Sequence, residues 1–353
     1  MLTSTNPEYA GYRAVAEIHH RFLTGMILAT VAHRGAEIAA QAVYRLFKLH
    51  HDEKFLPGLE LLGLTDLPDA VASAQYHYLS NFIGTVKVEY MPESDRKAWI
   101  RYPPPRWIFD GTAICAVPDA VTIGMMRGWH ARNGLSLNNP RLGFVCTGMT
   151  TAGDAGLEGY FYEYDHDLDE EERLRFAPKE CAPPFNLATA PTVDVASWPA
   201  ERLAKAERNY SVDHSRTMLR VLIGLLGADA GALVGRAGRQ IGLQYYDETA
   251  AMLGLETRNA EDFAEYLCRM LNALGDRASI DTADGAIEIT AQDNRILRGV
   301  SGDAPALFDI WCTIWHGAAA ANGARLTLRA DRNATNGTCR WRIAADGKPA
   351  RRT

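Results

Sequence analysis

Apolar side chains recur at helical spacing from early in the chain, through Ile18, Phe22 and Met26 and again through Ala36, Ala39, Ala40, Val43 and Phe47. This period predicts helices over 14–31 and 36–49 and a third over 68–83, the last closed by Gly84. The pattern then shortens, and it predicts strands at 85–90 and 98–102, a helix at 118–132, and strands at 142–147 and 159–165. In the second half it predicts helices at 215–226, 228–252 and 260–274, strands at 278–282 and 286–290, a helix at 304–321, and strands at 325–330 and 338–344. Helices followed by a strand pair, a helix and a second strand pair define an α+β chain.

The spacing of marker residues is shared by the two halves. Leu62, Gly63 and Leu64 are followed by Gly84 twenty positions after Leu64, and Leu253, Gly254 and Leu255 by Gly275 twenty after Leu255. Asp119 then pairs with Asp309, and Asn133-Gly134 with Asn322-Gly323, so the offset drifts only from 191 through 190 to 189. Between the halves Pro178, Pro183, Pro184, Pro191 and Pro199 interrupt regular structure. The expected organisation is two tandem repeats, 1–175 and 207–346, joined by a Pro-rich linker at 176–206. Two unrelated α+β domains that share helix-ending glycines are the alternative.

Composition narrows the function. Among 353 residues, 37 basic against 43 acidic side chains give a net charge of −6, which lacks the basic footprint of a nucleic-acid binder. Six scattered cysteines show neither CxxC nor zinc-ligand spacing. The apolar run 22–32 is too short to span a bilayer, which needs about 20 residues. A cytoplasmic protein with no membrane partner is therefore expected. The chain has no GxGxxG, Walker, HExxH or GxSxG motif, so no cofactor is indicated. His50 and Glu53 have the spacing of a metal-ligand pair on a helix, which leaves a divalent ion open without defining a metal site.

Unusual polar residues concentrate in the first half. Along 158–167, strand alternation places Glu163 and Asp165 with Phe161, and Tyr160, Tyr162 and Tyr164 on the opposite face. A carboxylate beside aromatics is a candidate general base if its face meets a cavity; a solvated strand end is the other reading. Arg141, at a strand entrance, is a candidate clamp for a substrate carboxylate. Cys146 is a candidate nucleophile, with core packing as the commoner role of such a cysteine. His130 and His166 are candidate proton carriers, and Trp107, Trp129 and Tyr162 are candidate substrate contacts.

In the second half, Phe308, Asp309, Ile310, Trp311 and Cys312, the Asn322-Gly323 turn and the closing Cys339, Arg340, Trp341, Arg342 and Ile343 form a recognisable succession. Over about 215–343 it resembles the L-2-amino-thiazoline-4-carboxylic acid hydrolases and related 4-vinyl-reductase-like small-molecule-binding domains. Arg340 stands where that family usually has an aspartate, a departure that bears on its hydrolytic chemistry. The resemblance implies a pocket for a small organic molecule. The expected function is hydrolysis or opening of a small cyclic or aromatic organic acid by a carboxylate or histidine base in the first repeat. A non-catalytic small-molecule binding or sensing protein and a structural subunit are the rivals. Homodimerisation is expected from small-residue helices such as 36–42 and 318–321.

Overall fold

The computed structural model describes residues 9–345 except 106, 195, 257, 284–285, 299, 301–303, 324 and 334. The chain is a mixed α+β protein. Its elements are α1 (Ala10–Leu61), α2 (Asp69–Ile83), β1 (Glu89–Ser94), β2 (Lys97–Tyr102), α3 (Asp119–Gly128), α4 (Asn133–Ser136), β3 (Leu142–Gly148), β4 (Leu157–Glu163) and β5 (Leu174–Phe176). They continue with α5 (Ala200–Leu226), α6 (Asp229–Met252), α7 (Ala260–Leu274), β6 (Ala278–Ala283), β7 (Ala286–Ala291), α8 (Ala304–Ala321), β8 (Leu326–Arg332) and β9 (Cys339–Ala345). The two helices predicted at the start form one long α1, broken at Gly35, whose φ of 86° suits a residue without Cβ.

The chain divides into two compact units. One is Ile27–Ala206; the other joins described residues 9–26 to those from Glu207 onward. The start of α1 therefore departs from the expected repeat 1–175. Small residues explain its place: a Cβ added at Gly11 would stand 3.0 Å from Ala273 Cβ, and one at Gly25 would stand 3.1 Å from Ile241. Periodicity shows that a helical face is buried but not which surface buries it.

In the first unit the strand order is β1-β2-β4-β3-β5, antiparallel except for the β3–β5 pair. One face carries Ala98, Phe144 and Phe161, opposite one another in the ladder, and α2 lies against it. The other face carries Met91, Trp99, Val145 and Tyr160, covered by Ala177, Ala182 and Phe185. The expected linker thus begins as a strap across the sheet. Its surviving N–H groups hold it there: Ala177 N donates to Cys146 O at 2.9 Å and Ala182 N to Glu158 Oε1 at 3.2 Å. Behind α2, α1 and α3 approach through glycine, since a Cβ at Gly124 or Gly128 would stand 2.5 Å from Ala40 O or Tyr44 O.

In the second unit the strand order is β6-β7-β9-β8, antiparallel throughout. Here α6 and α8 meet so closely that a Cβ at Gly242 would overlap Ile314 O. Trp311, Trp315 and Trp341 are fully buried in this core with Tyr266 and Phe263. Among the described residues, no helix is long and apolar enough to cross a membrane.

Candidate functional site

A polar interior in the first unit arises from helix and strand positions far apart in sequence. His77 on α2 is 97% removed from solvent and shares a 2.7 Å hydrogen bond between Nδ1 and the Tyr102 hydroxyl on β2. Its ring stacks on His130 at 4.4 Å and on Phe161 at 5.3 Å, and His130 also packs on Phe144 at 4.7 Å. His51, on the second half of α1, lies 3.2 Å through Nε2 from Asn133 Oδ1 and meets Trp129 edge-on at 5.5 Å. The helical periods of α1 and α2 turn these rings inward, and the short turn at His130–Arg132 contributes the third.

Burial holds the His51 and His77 imidazoles neutral. It lowers His51 to about 4, with the Arg132 charge adding to the effect and Asp52 opposing it. His77 is pushed well below its ordinary value, first by burial and then by His130 and His51. Several buried atoms here have no hydrogen-bond partner among the described residues: His77 Nε2, Asn133 Nδ2, Trp129 Nε1 and Ser73 Oγ. His51 Nδ1 is 3.6 Å from Asp52 Oδ1, outside hydrogen-bond range. Such a set keeps unused capacity to bind a polar group.

At the edge of this interior opens a cleft of about 270 Å³. The turn that points His130 inward brings Arg132 to its wall, where Tyr44, Arg127 and Arg173 also stand. Arg132 Nη2 reaches Asp52 Oδ1 at 3.2 Å, so Asp52 lies between the cleft and His51.

The residues singled out from sequence are dispersed around this arrangement. Glu163 Oε1 accepts from Arg141 Nη2 at 2.7 Å and Glu163 Oε2 from Asn139 Nδ2 at 3.2 Å, so the candidate base and the candidate clamp satisfy each other. Asp165 is exposed and bound to Arg96 at 2.7 Å, and exposed His166 rests against Tyr164 at 5.6 Å. Cys146 sits in the core, its Sγ donating to Gly148 O at 3.4 Å, and burial pushes its thiol up to about 12. That position disfavours the thiolate a nucleophile needs, which corrects the expected role. Tyr162 belongs to the strap-covered face, edge-on to Tyr160 and Tyr164. Trp129 packs among His51, His77 and Tyr76. Trp107 opens a short 3-10 turn, and its side chain lies outside the described part. Only His130 and Trp129 join the buried array.

The pair proposed as metal ligands separates, with His50 buried and Glu53 exposed; the neighbouring His51 is the ring that faces the array. Among the described residues, no three His, Cys, Asp or Glu side chains converge as metal ligands. His51, His77, Asn133 and Arg173 were not singled out as site residues from sequence. A histidine within the apolar stripe of α2 and an arginine closing the acidic run 169–172 were the available signals. Comparison with family models, with curated proteins and with solved structures finds no match to this chain.

Proposed function

We propose that the protein binds a small organic molecule, with the first unit as the working half and the cleft beside the histidine array as the binding site. The observation that carries this reading is the cleft itself, concave and walled by both polar and apolar side chains beside a buried array with unused hydrogen-bonding groups. Its volume of about 270 Å³ lies near the lower end of ligand pockets, about 300–1,000 Å³. The resemblance of the second half to small-molecule-binding domains agrees with it. A duplication is part of the proposal, supported by the matching orders β1-β2-β4-β3 and β6-β7-β9-β8. Hydrolysis of a cyclic or aromatic acid by Glu163 is the weaker reading, because Arg141 and Asn139 already occupy that carboxylate.

The test is ligand-observed NMR with a panel of small aromatic and cyclic molecules, on the wild type and on Leu135→Trp, which fills the cleft from its exposed rim. Saturable binding in the wild type and its loss in a folded Leu135→Trp protein are expected. Absence of binding, or binding insensitive to the substitution, would defeat the proposal.

A further inference from the structure

Several arginines in the first unit have carboxylate partners. Arg96 has Asp165, Arg101 has Glu89 and Glu158, Arg141 has Glu163 and Arg175 has Glu172. Arg173 is the most buried of those on the cleft wall, with 6% of its surface exposed, and it has no ion pair among the described residues. Its one hydrogen bond there is from Nη1 to Leu142 O at 3.2 Å. A guanidinium carries five N–H donors, and taking its charge out of water without an ion-pair partner is unfavourable. The backbone makes room for it: a Cβ at Gly134 would stand 3.0 Å from Arg173 Nη1 and 2.5 Å from Leu142 O.

Two more guanidinium groups share the wall. Arg127 is exposed and has no ion pair among the described residues, and Arg132 Nε is buried without a hydrogen-bond partner. Glu170 and Glu171 line the same cleft, and Asp52 pairs with Arg132 at 3.2 Å, so Arg173 and Arg127 are the cleft arginines without an ion pair among the described residues. Leu135 and Leu174 supply an apolar patch.

We infer that the cleft takes a small ligand bearing one carboxylate, seated on Arg173 with its apolar body against Leu135 and Leu174. The inference rests on the cleft being the small-molecule site. The planar fork of a guanidinium fits a carboxylate through two parallel hydrogen bonds. The ligand supplies the direct ion pair that Arg173 lacks among the described residues, since Asp167 and Glu170 act on its charge only from beyond ion-pair distance.

The experiment compares benzoate with neutral, similarly shaped benzamide, and with inorganic phosphate, by titration calorimetry on the wild type, Arg173→Gln and Arg127→Gln. Benzoate is expected to bind at least tenfold more tightly than benzamide, to lose at least tenfold in Arg173→Gln, and to lose less in Arg127→Gln. Equal binding of benzamide and benzoate, abolished by Leu135→Trp, would overturn the anion while leaving the small-molecule site standing. Binding of neither would remove both. Tighter binding of inorganic phosphate than benzoate would overturn the monoanionic carboxylate. If Arg173→Gln does not fold, the wild-type preference for benzoate and its decrease in Arg127→Gln decide the matter, and no preference in the wild type overturns the inference.

Discussion

Inside the first unit, α2 lays His77 on Phe161 and Tyr102, with His130 stacked beside it; inside the second, Trp311 on α8 packs edge-on against both Trp315 and Trp341. Both interiors lie on sheets that share the central order of four strands. Tryptophan fills volume and presents one N–H, and of the three only Trp311 finds a partner, His19 Nε2 at 3.4 Å, the other two having none among the described residues. Imidazole fills less volume and keeps both a donor and an acceptor. The comparison teaches where stability is concentrated and where polar capacity is kept. The second unit fills its core with tryptophans, whereas the first stacks imidazoles, with polar atoms that lack partners among the described residues, beside a cleft. Departures of that kind from full satisfaction are characteristic of functional sites.

The largest expected effect tests the closed core. Trp341→Ala should cost about 4 kcal/mol in urea-induced unfolding. The paired substitution His77→Phe with Tyr102→Phe should cost less than about 1 kcal/mol, since removing both partners leaves neither unsatisfied. A cost for the histidine pair equal to that of Trp341→Ala would erase the contrast.

Helix contact gives the next effect. Gly242→Ala should destabilise by about 3 kcal/mol, because the added methyl overlaps backbone, and Gly128→Ala by somewhat less, its nearest atom being Tyr44 O at 2.5 Å. Thermal denaturation that shows both to be neutral would mean that the helices are not held by close glycine contact in either unit.

Protonation sharpens the comparison because two buried groups respond with opposite sign. His51 titrates at about 4 when folded, below the ordinary 6.5, so the unfolded chain binds more protons between those values. Its contribution is complete above pH 6.5 and is lost toward pH 4 at about 1.4 kcal/mol per pH unit. In the second unit, burial raises Asp276 from its ordinary 3.8 to about 7, against the donation it accepts from Arg295 N at 2.6 Å. Its folded form holds the proton more tightly, so its contribution is present near pH 4 and is lost as pH rises to 7. His51→Leu should flatten the acid-side loss of stability, and Asp276→Asn should raise stability at pH 8 relative to pH 5. Unfolding curves across pH that remain parallel to the wild type in both variants would refute these assignments.

The smallest effect concerns the surface pair. Arg141→Ala should reduce stability by about 0.5 kcal/mol, as exposed ion pairs do, and leave benzoate affinity unchanged. A large loss of ligand binding on that substitution would return the working site to Glu163.

Several local elements were legible in the chain, whereas the strand expected at 85–90 lies at Glu89–Ser94 and the helix expected from 215 begins at Ala200, within the expected linker. The helices predicted at 68–83 and 260–274 correspond to α2 (Asp69–Ile83) and α7 (Ala260–Leu274), because each ends at a glycine and Gly275 takes a φ of 107° that stops the turn. Alternation likewise located β3 and β4, and it put Phe161 and Glu163 on one face with Tyr160 and Tyr162 on the other, since the side-chain period of a strand is set by the backbone alone. The site was less legible. Sequence marked Arg141 and Glu163 as separate functional groups, but each is the other's partner across 22 positions. It gave no sign that residues 9–26 would join the second unit, because an apolar stripe is equally consistent with any complementary surface. His51, His77 and His130 meet only when α1, α2 and the turn after α3 pack together. The burial of Arg173 with a single hydrogen bond among the described residues is likewise a property of the assembled unit. Periodicity and capping act within a few residues and are written in local sequence; burial, charge pairing and the absence of a partner depend on which distant atoms meet, and that was decided by the tertiary structure.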